Sequence, residues 1–382
     1  MKTVFVKIAF IALCAFASVS CLKDDSKTIM LSSGVKAGNI PHDSEASPNP
    51  DVYYSNVNIP NFQYTTEVEN GNTIIRIDMT GVQTPDGDYM YLVGTGGSDG
   101  EAQNVWVEVD GQPKGILVYN AIDNEQDVVI KNDFVFLVDN SGSMSEEADA
   151  IARDIIAWAS GLSTLLDVRF ACVGYNGNIT GGINLTTYNQ LSDYLNRSTG
   201  IDRTFGFGGP DASNLNSKSY YYDISSQEEC GMAALHFAND CFTFRENSNR
   251  IYVNFTDEPN YPAYISKYSV HYLGNQYNWD ASKGTIHTVF SGSTSFSEQS
   301  NYQEKPWRMS DYTGGTILYA NSNFTGVKLD NLPVTSAMQN SYVIKFSNIE
   351  SLMDGNYHTV EITIKSADGS VQATKTFSIK FA

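Results

Sequence analysis

The sequence predicts an α/β domain with a doubly wound parallel sheet, inserted into an all-β sandwich formed by the N- and C-terminal flanks. Three observations predict it. In DFVFLVDNSGSMSEE a continuous apolar run, as expected of a strand covered on both faces, is followed by a helical pattern, and strands and helices then alternate. The flanks, residues 52–130 and 321–382, read instead as alternating strands with Gly-rich turns. Neither flank has enough strands for a sandwich alone, so one sandwich built from both is the economical solution.

The elements follow in order. Residues 1–20 carry Lys2 and Lys7 and then an apolar run over 8–19, too short to span a bilayer and right for a signal-peptide core. Residues 26–51 are polar, with scattered Ser, Pro, Asn and Gly, and read as a flexible tether. FQYTTEVENGNTIIRIDM places Asn70-Gly71 between two alternating runs, a strong hairpin signal. The domain predicted over 131–320 begins with FVFLV. Behind it, EEADAIARDIIAWASGL sets Ala150, Ile151, Ile155 and Trp158 on one helical face. VRFACVGYN reads as a strand, TTYNQLSDYLNR as a helix, and FGFGGPDASNLNSKSYYYDISS as a long polar loop. The helix ECGMAALHFANDCF and the strands RIYVNF, TIHTVF and TGGTILYA complete the block. SYVIKFS, HTVEITIK and TKTFSIKF return the chain to β, the last two around an Asp368-Gly369 turn.

Composition excludes some classes of function. A net charge of −19 over 382 residues argues against nucleic acid and against an electrostatic hold on anionic lipid, since both need a basic face. Cys230 and Cys241, on one predicted helix, lie about 16 Å apart, beyond disulfide reach. They and Cys172 are expected as buried free thiols, with a Cys172 bridge to either as the lesser possibility. His42, His236, His271, His287 and His358 are scattered and form no metal-ligand spacing, and no nucleophile motif is present. No enzyme is expected.

The N-terminal SVSC resembles a bacterial lipobox, which implies cleavage before Cys21 and its lipidation; ordinary secretion with cleavage nearby is the other reading. LKDD, directly after it, resembles the surface-export signal of lipoproteins from Bacteroidota-type bacteria. Together they imply an outer-membrane, lipid-anchored protein facing outward, in contact with membrane through its acyl chains only.

Asp139, Ser141 and Ser143 follow the FVFLV strand at spacings of two. They offer hard oxygen ligands at a strand's carboxyl end, where open α/β sheets bind ligands. Mg²⁺ prefers such a set: few carboxylates, hydroxyls and waters. A helix cap needs only one such residue, and a phosphate loop wants Gly and Lys that are missing. VDNSGSM resembles the D-x-S-x-S motif of von Willebrand factor A domains, where it opens a metal-ion-dependent adhesion site. The resemblance implies a second Asp ending a later strand, matched by Asp257 in RIYVNFTDE. It also implies a loop hydroxyl, placed at Ser226, with Ser225 and Glu228 as close alternatives. By that resemblance Mg²⁺ (or Mn²⁺/Ca²⁺) is expected on Asp139, Ser141, Ser143, Ser226 and Asp257, binding a protein or glycoprotein ligand through that ligand's Asp or Glu. The alternative is a structural tip or accessory subunit of a surface fibre or outer-membrane complex. The Tyr-bearing stretches KSYYYD and DEPNYPAY read as loops around the site, either a recognition rim or packing.

Overall fold

A computed structural model describes residues 31–32, 39–69, 71–97, 101–120, 127–128, 130–224, 228–322, 324 and 333–381. The first strands are β1 (Leu31–Ser32), β2 (Phe62–Glu69), β3 (Asn72–Met79), β4 (Val105–Val109), β5 (Gln112–Pro113), β6 (Ile116–Asn120) and β7 (Asp127–Val128). The central block begins with β8 (Lys131–Asp139), α1 (Ala148–Leu165), β9 (Asp167–Tyr175), β10 (Ile179–Thr186), α2 (Tyr188–Asn196), β11 (Gly206–Gly208) and α3 (Ala212–Ser219). It continues through α4 (Gly231–Cys241), β12 (Ser248–Thr256), β13 (Thr285–Phe290), α5 (Arg308–Thr313) and β14 (Ile317–Tyr319). Helix α6 (Pro333–Gln339) and strands β15 (Tyr342–Phe346), β16 (Tyr357–Lys365) and β17 (Gln372–Lys380) follow.

The central sheet has seven strands in the order β11-β10-β9-β8-β12-β13-β14. Strands β9, β8, β12, β13 and β14 run parallel. Strand β10 turns back antiparallel beside β9. The sheet is therefore mixed, the chain is of mixed α/β class, and the expected wholly parallel, doubly wound A-type insertion is not established. Strand β8 shows why the apolar run is unbroken. Phe134, Phe136 and Val138 pack on one face with Ile151, Ile155 and Trp158 of α1, while Val135 and Leu137 pack on the other with α4. Alternate side chains of a strand point to opposite faces, so a strand covered twice must be apolar at every position.

Two four-stranded sheets, β2-β3-β15-β6 and β17-β16-β4-β5, lie face to face, each drawing strands from both ends of the chain. Ile75, Ile77 and Ile344 from one sheet and Val107, Ile362 and Phe377 from the other share one core. The β2–β3 hairpin closes at Gly71, whose φ of +83° is a left-handed value that suits glycine.

Asn61 ties this pair to the central sheet. Its amide N–H donates to the Thr313 carbonyl (2.9 Å), its Nδ2 to the Gly284 carbonyl (2.9 Å), and its own carbonyl accepts from Thr285 Oγ1 (3.2 Å). Lys375 Nζ, its pKa pulled down to about 7 by burial, donates to the Ile59 carbonyl and Asn61 Oδ1. With the Gln63 N–H donating to Asn249 Oδ1 (3.2 Å), these contacts meet the starts of β12 and β13. The strands' carboxyl ends therefore point away from the two-sheet unit.

Three segments differ from the sequence reading. Residues 39–51, assigned to the tether, lie against the β-sheet: Asp43 accepts from Lys114 Nζ and the Gly115 N–H, and the Asn49 N–H donates to Glu108. Its polar side chains find partners on the sheet surface in place of a core. The loop expected over 205–226 contains β11 and α3, anchored by the buried Leu215. The stretch assigned to strands after 321 contains α6. Cys21, the signal peptide and residues 21–30 lie outside the described residues. Cys172, Cys230 and Cys241 are free thiols.

Candidate functional site

Strand β8 ends on Asp139, buried at the seam with β12, and the chain then enters a short 3₁₀ turn, Gly142–Ser145. Ser141 sits at the turn's N-cap, but its hydroxyl makes no cap bond. It faces Ser143 instead, with the two Oγ atoms 2.9 Å apart. Ser143 Oγ donates to Asp257 Oδ1 at 3.0 Å. Asp139 is held at both oxygens: Oδ1 accepts from the Ser141 N–H (2.9 Å) and Oδ2 from Thr256 Oγ1 (2.7 Å). Four of the five residues singled out from sequence thus form one continuous set of oxygens across the β8 and β12 ends. Ser226 and Ser225 lie outside the described residues.

The electrostatics are one-sided. Burial pushes the Asp139 carboxyl up to about 7, and nearby Glu229 adds to the rise. Burial lifts Glu229 to about 6, with repulsion from Glu258, Glu228 and Asp257 behind it. Asp257, Glu258 and Glu147 are all displaced upward, in each case chiefly by burial. Among the described residues no Lys or Arg forms an ion pair with Asp139, Glu147, Glu229, Asp257 or Glu258. Glu147 Oε1 accepts from Ser291, while its buried Oε2 has no hydrogen-bond partner. Buried carboxylates are ordinarily paired or bound to a metal. The donor set therefore fits a small hard cation: two hydroxyls, a half-buried carboxylate and a buried carboxylate behind them. Among the described residues no three His, Cys, Asp or Glu converge as ligands, so a cation here would depend on the serine oxygens.

Thr256, Glu147 and Glu229 were not singled out from sequence. Thr256 lies beside Asp257 in the same strand end, which was a usable signal. Glu147 comes from the start of α1 and Glu229 from the entry to α4, and neither carries a local signature. His236 and His287 are core residues: His236 Nε2 pairs with the Lys267 carbonyl, and burial holds His287 down to about 3.

No family model and no curated protein matches the chain. Several solved structures are similar to it. The adhesive tip pilin GBS104 of Group B Streptococcus agalactiae is 16% identical, covering 34% of this chain and 46% of that one at a TM-score of 0.24. The pilus adhesin SpaC of Lactobacillus rhamnosus GG is 10% identical, covering 83% and 55% at 0.35. The type V pili tip protein Mfa5 of Porphyromonas gingivalis, through three N-terminal domains, is 8% identical, covering 84% and 77% at 0.24. This chain thus spans about half the length of the first two.

These findings correct the expected family. Membership of the von Willebrand factor A family, and of the Bacteroidota-type surface lipoproteins, is not upheld, because no family model matches the chain and its central sheet is mixed where a wholly parallel one was expected. The physical reason is the brevity of the signal. D-x-S-x-S specifies a strand-end turn that presents oxygens, and a turn of a few residues does not specify a family.

Proposed function

We propose that the protein is a cell-surface adhesive subunit, at the tip or in an accessory position of a surface fibre or outer-membrane complex. It binds a protein or glycoprotein partner at the β8–β12 strand ends. The observation that carries this is the oxygen set of Asp139, Ser141, Ser143 and Asp257, crowded with carboxylates that no Lys or Arg among the described residues pairs with. Ser141, Ser143 and Asp257 would hold a divalent cation, with Ser226 as the expected loop hydroxyl. Mg²⁺ suits a site of hydroxyls and few carboxylates, with Mn²⁺ or Ca²⁺ as substitutes. The bound ion would supply a Lewis-acidic position for an Asp or Glu of the partner. Asp139, held by the Ser141 N–H and the Thr256 hydroxyl, fixes the turn that carries the serine hydroxyls and would add its charge to the hold on the ion. The chemistry is that of binding, not catalysis. Lipidation at Cys21 would anchor the protein to the outer face of the membrane.

The test is calorimetric titration of the purified protein with MgCl₂, together with its attachment to immobilised matrix proteins and glycoproteins. Attachment should vanish in EDTA, return with Mg²⁺ or Mn²⁺, and fall in Ser143→Ala. Absence of cation binding at millimolar concentration overturns the proposal.

A further inference from the structure

Two loops leave the carboxyl ends of β12 and β13 and meet beside the acidic site. Their backbones bridge at Asn260 and Glu304, each N–H donating to the other's carbonyl at 2.9 Å. The wholly buried Glu304 carboxylate fixes them further, accepting from Ser269 Oγ (2.7 Å), the Val270 N–H (2.7 Å) and the Asn301 N–H (2.8 Å). A buried carboxylate satisfied by several donors holds its neighbourhood rigid. Three non-glycine residues in these loops adopt left-handed backbone: Ala263 (φ +48°), Tyr264 (φ +60°) and Asn301 (φ +61°). Such conformations are costly and persist only where the surroundings impose them.

What this framework presents is aromatic. Tyr264 is 75% exposed and Tyr302 45% exposed, although both stand in an ordered loop pair. Their rings stack at 6.1 Å, and Tyr261 meets Tyr302 edge-on at 5.9 Å. Rigid tyrosines offer large contact area at little entropic cost. The surroundings are acidic: the Tyr261 N–H donates to the Glu229 carbonyl (2.8 Å), and burial with Glu228, Glu258 and Glu229 pushes its phenol up to about 12. The lysines of these loops are committed elsewhere. Lys267 lies over Tyr268 and Tyr222, and Lys305 over Trp307. Among the described residues no cation covers Tyr264 or Tyr302.

We infer that Tyr264 and Tyr302, with Glu258 and Glu229 behind them, form a docking platform for a basic side chain, an arginine above all, of a protein partner. A guanidinium stacks on a tyrosine face and at the same time answers the carboxylates, which a neutral or acidic ligand would not. That the partner is a protein rests on the adhesive reading above; the platform does not depend on the cation site.

The experiment is titration of the full-length protein with an acetylated tetra-arginine peptide, against tetra-glutamate and maltotetraose, in Mg²⁺ and in EDTA. The arginine peptide should bind preferentially. Tyr264→Ala should weaken it about 2- to 30-fold, the range of a cation–π contact, with Glu258→Gln acting in the same direction. Tyr264 is exposed, so the variant should keep the wild-type circular dichroism. Binding unchanged in Tyr264→Ala places the peptide elsewhere on the acidic surface and overturns the inference, as does preference for the saccharide or no binding at all. Failure of the cation reading shows separately, as a protein that ignores Mg²⁺ while the Tyr264 dependence remains.

Discussion

Replacing Asp139 by Asn should raise the stability of the cation-free protein while removing its response to cation. Asp139 is wholly buried and its carboxyl is held up to about 7. A carboxylate whose folded pKa exceeds its unfolded value contributes instability as pH rises past the unfolded pKa, complete above the folded one. The gap between about 3.9 and about 7 is worth about 4 kcal/mol in slightly alkaline buffer. Asn keeps the shape and loses the charge. Its amide can face Thr256, whose hydroxyl also lies 3.3 Å from the Glu258 carbonyl and can turn to donate there. Replacing charged by neutral hydrogen bonds costs about 1–1.5 kcal/mol. The net gain is then about 2–3 kcal/mol, or about 4–12 °C in melting temperature at about 2–4 °C per kcal/mol. The wild type should recover this with Mg²⁺: a hundredfold excess over Kd adds about 2.7 kcal/mol, about 5–11 °C. The assay is thermal melting of both proteins in EDTA and in Mg²⁺. If the variant melts well below the wild type in EDTA, Asp139 serves structure and not a cation. If Mg²⁺ shifts both equally, the ion binds elsewhere.

Arg245→Met should cost about 3–5 kcal/mol in urea melts, because it strips the ion pair from the fully buried Asp133 (Nε to Oδ1, 2.7 Å), and Asp133→Asn in the same background should recover part of the loss. His358 lies between Asp110 (2.8 Å) and Asp354 (3.1 Å), and the Asp110 hydrogen bond leads in raising its pKa. Its stabilisation is therefore full below the ordinary His pKa of about 6.5 and fades as pH rises through the higher folded value, and melting curves of His358→Gln should lack that decline. At Gly292 a Cβ would sit 1.8 Å from the Asp257 carbonyl oxygen, so Gly292→Ala should displace the β12 end. The Mg²⁺-dependent melting shift should be lost while the far-ultraviolet dichroism is retained; an unaltered shift would mean that Asp257 does not hold the ion.

Much of the layout is legible in the chain itself. A short unbroken apolar run such as 134–138, flanked by turn residues, reads as a strand covered on both faces, and period-two alternation in 357–365 as one with a single face inward. The Asp139, Ser141 and Ser143 spacing is local, so its turn is readable without a fold. Only tertiary structure brings Thr256 and Asp257 to that turn. They stand 117 positions from Asp139 and 114 from Ser143 respectively, and pairing of β8 with β12 supplies the proximity. The same holds for β10, whose antiparallel course is decided by the short turn at 176–178 and not by its composition. Rigidity of the tyrosine platform is likewise tertiary. Glu304 reads in sequence as one more surface carboxylate, and it becomes the pin of two loops only where Ser269, Val270 and Asn301 close around it. Burial is a property of neighbours distant along the chain, and it alone turns an ordinary acid into a structural or ligand-directing one.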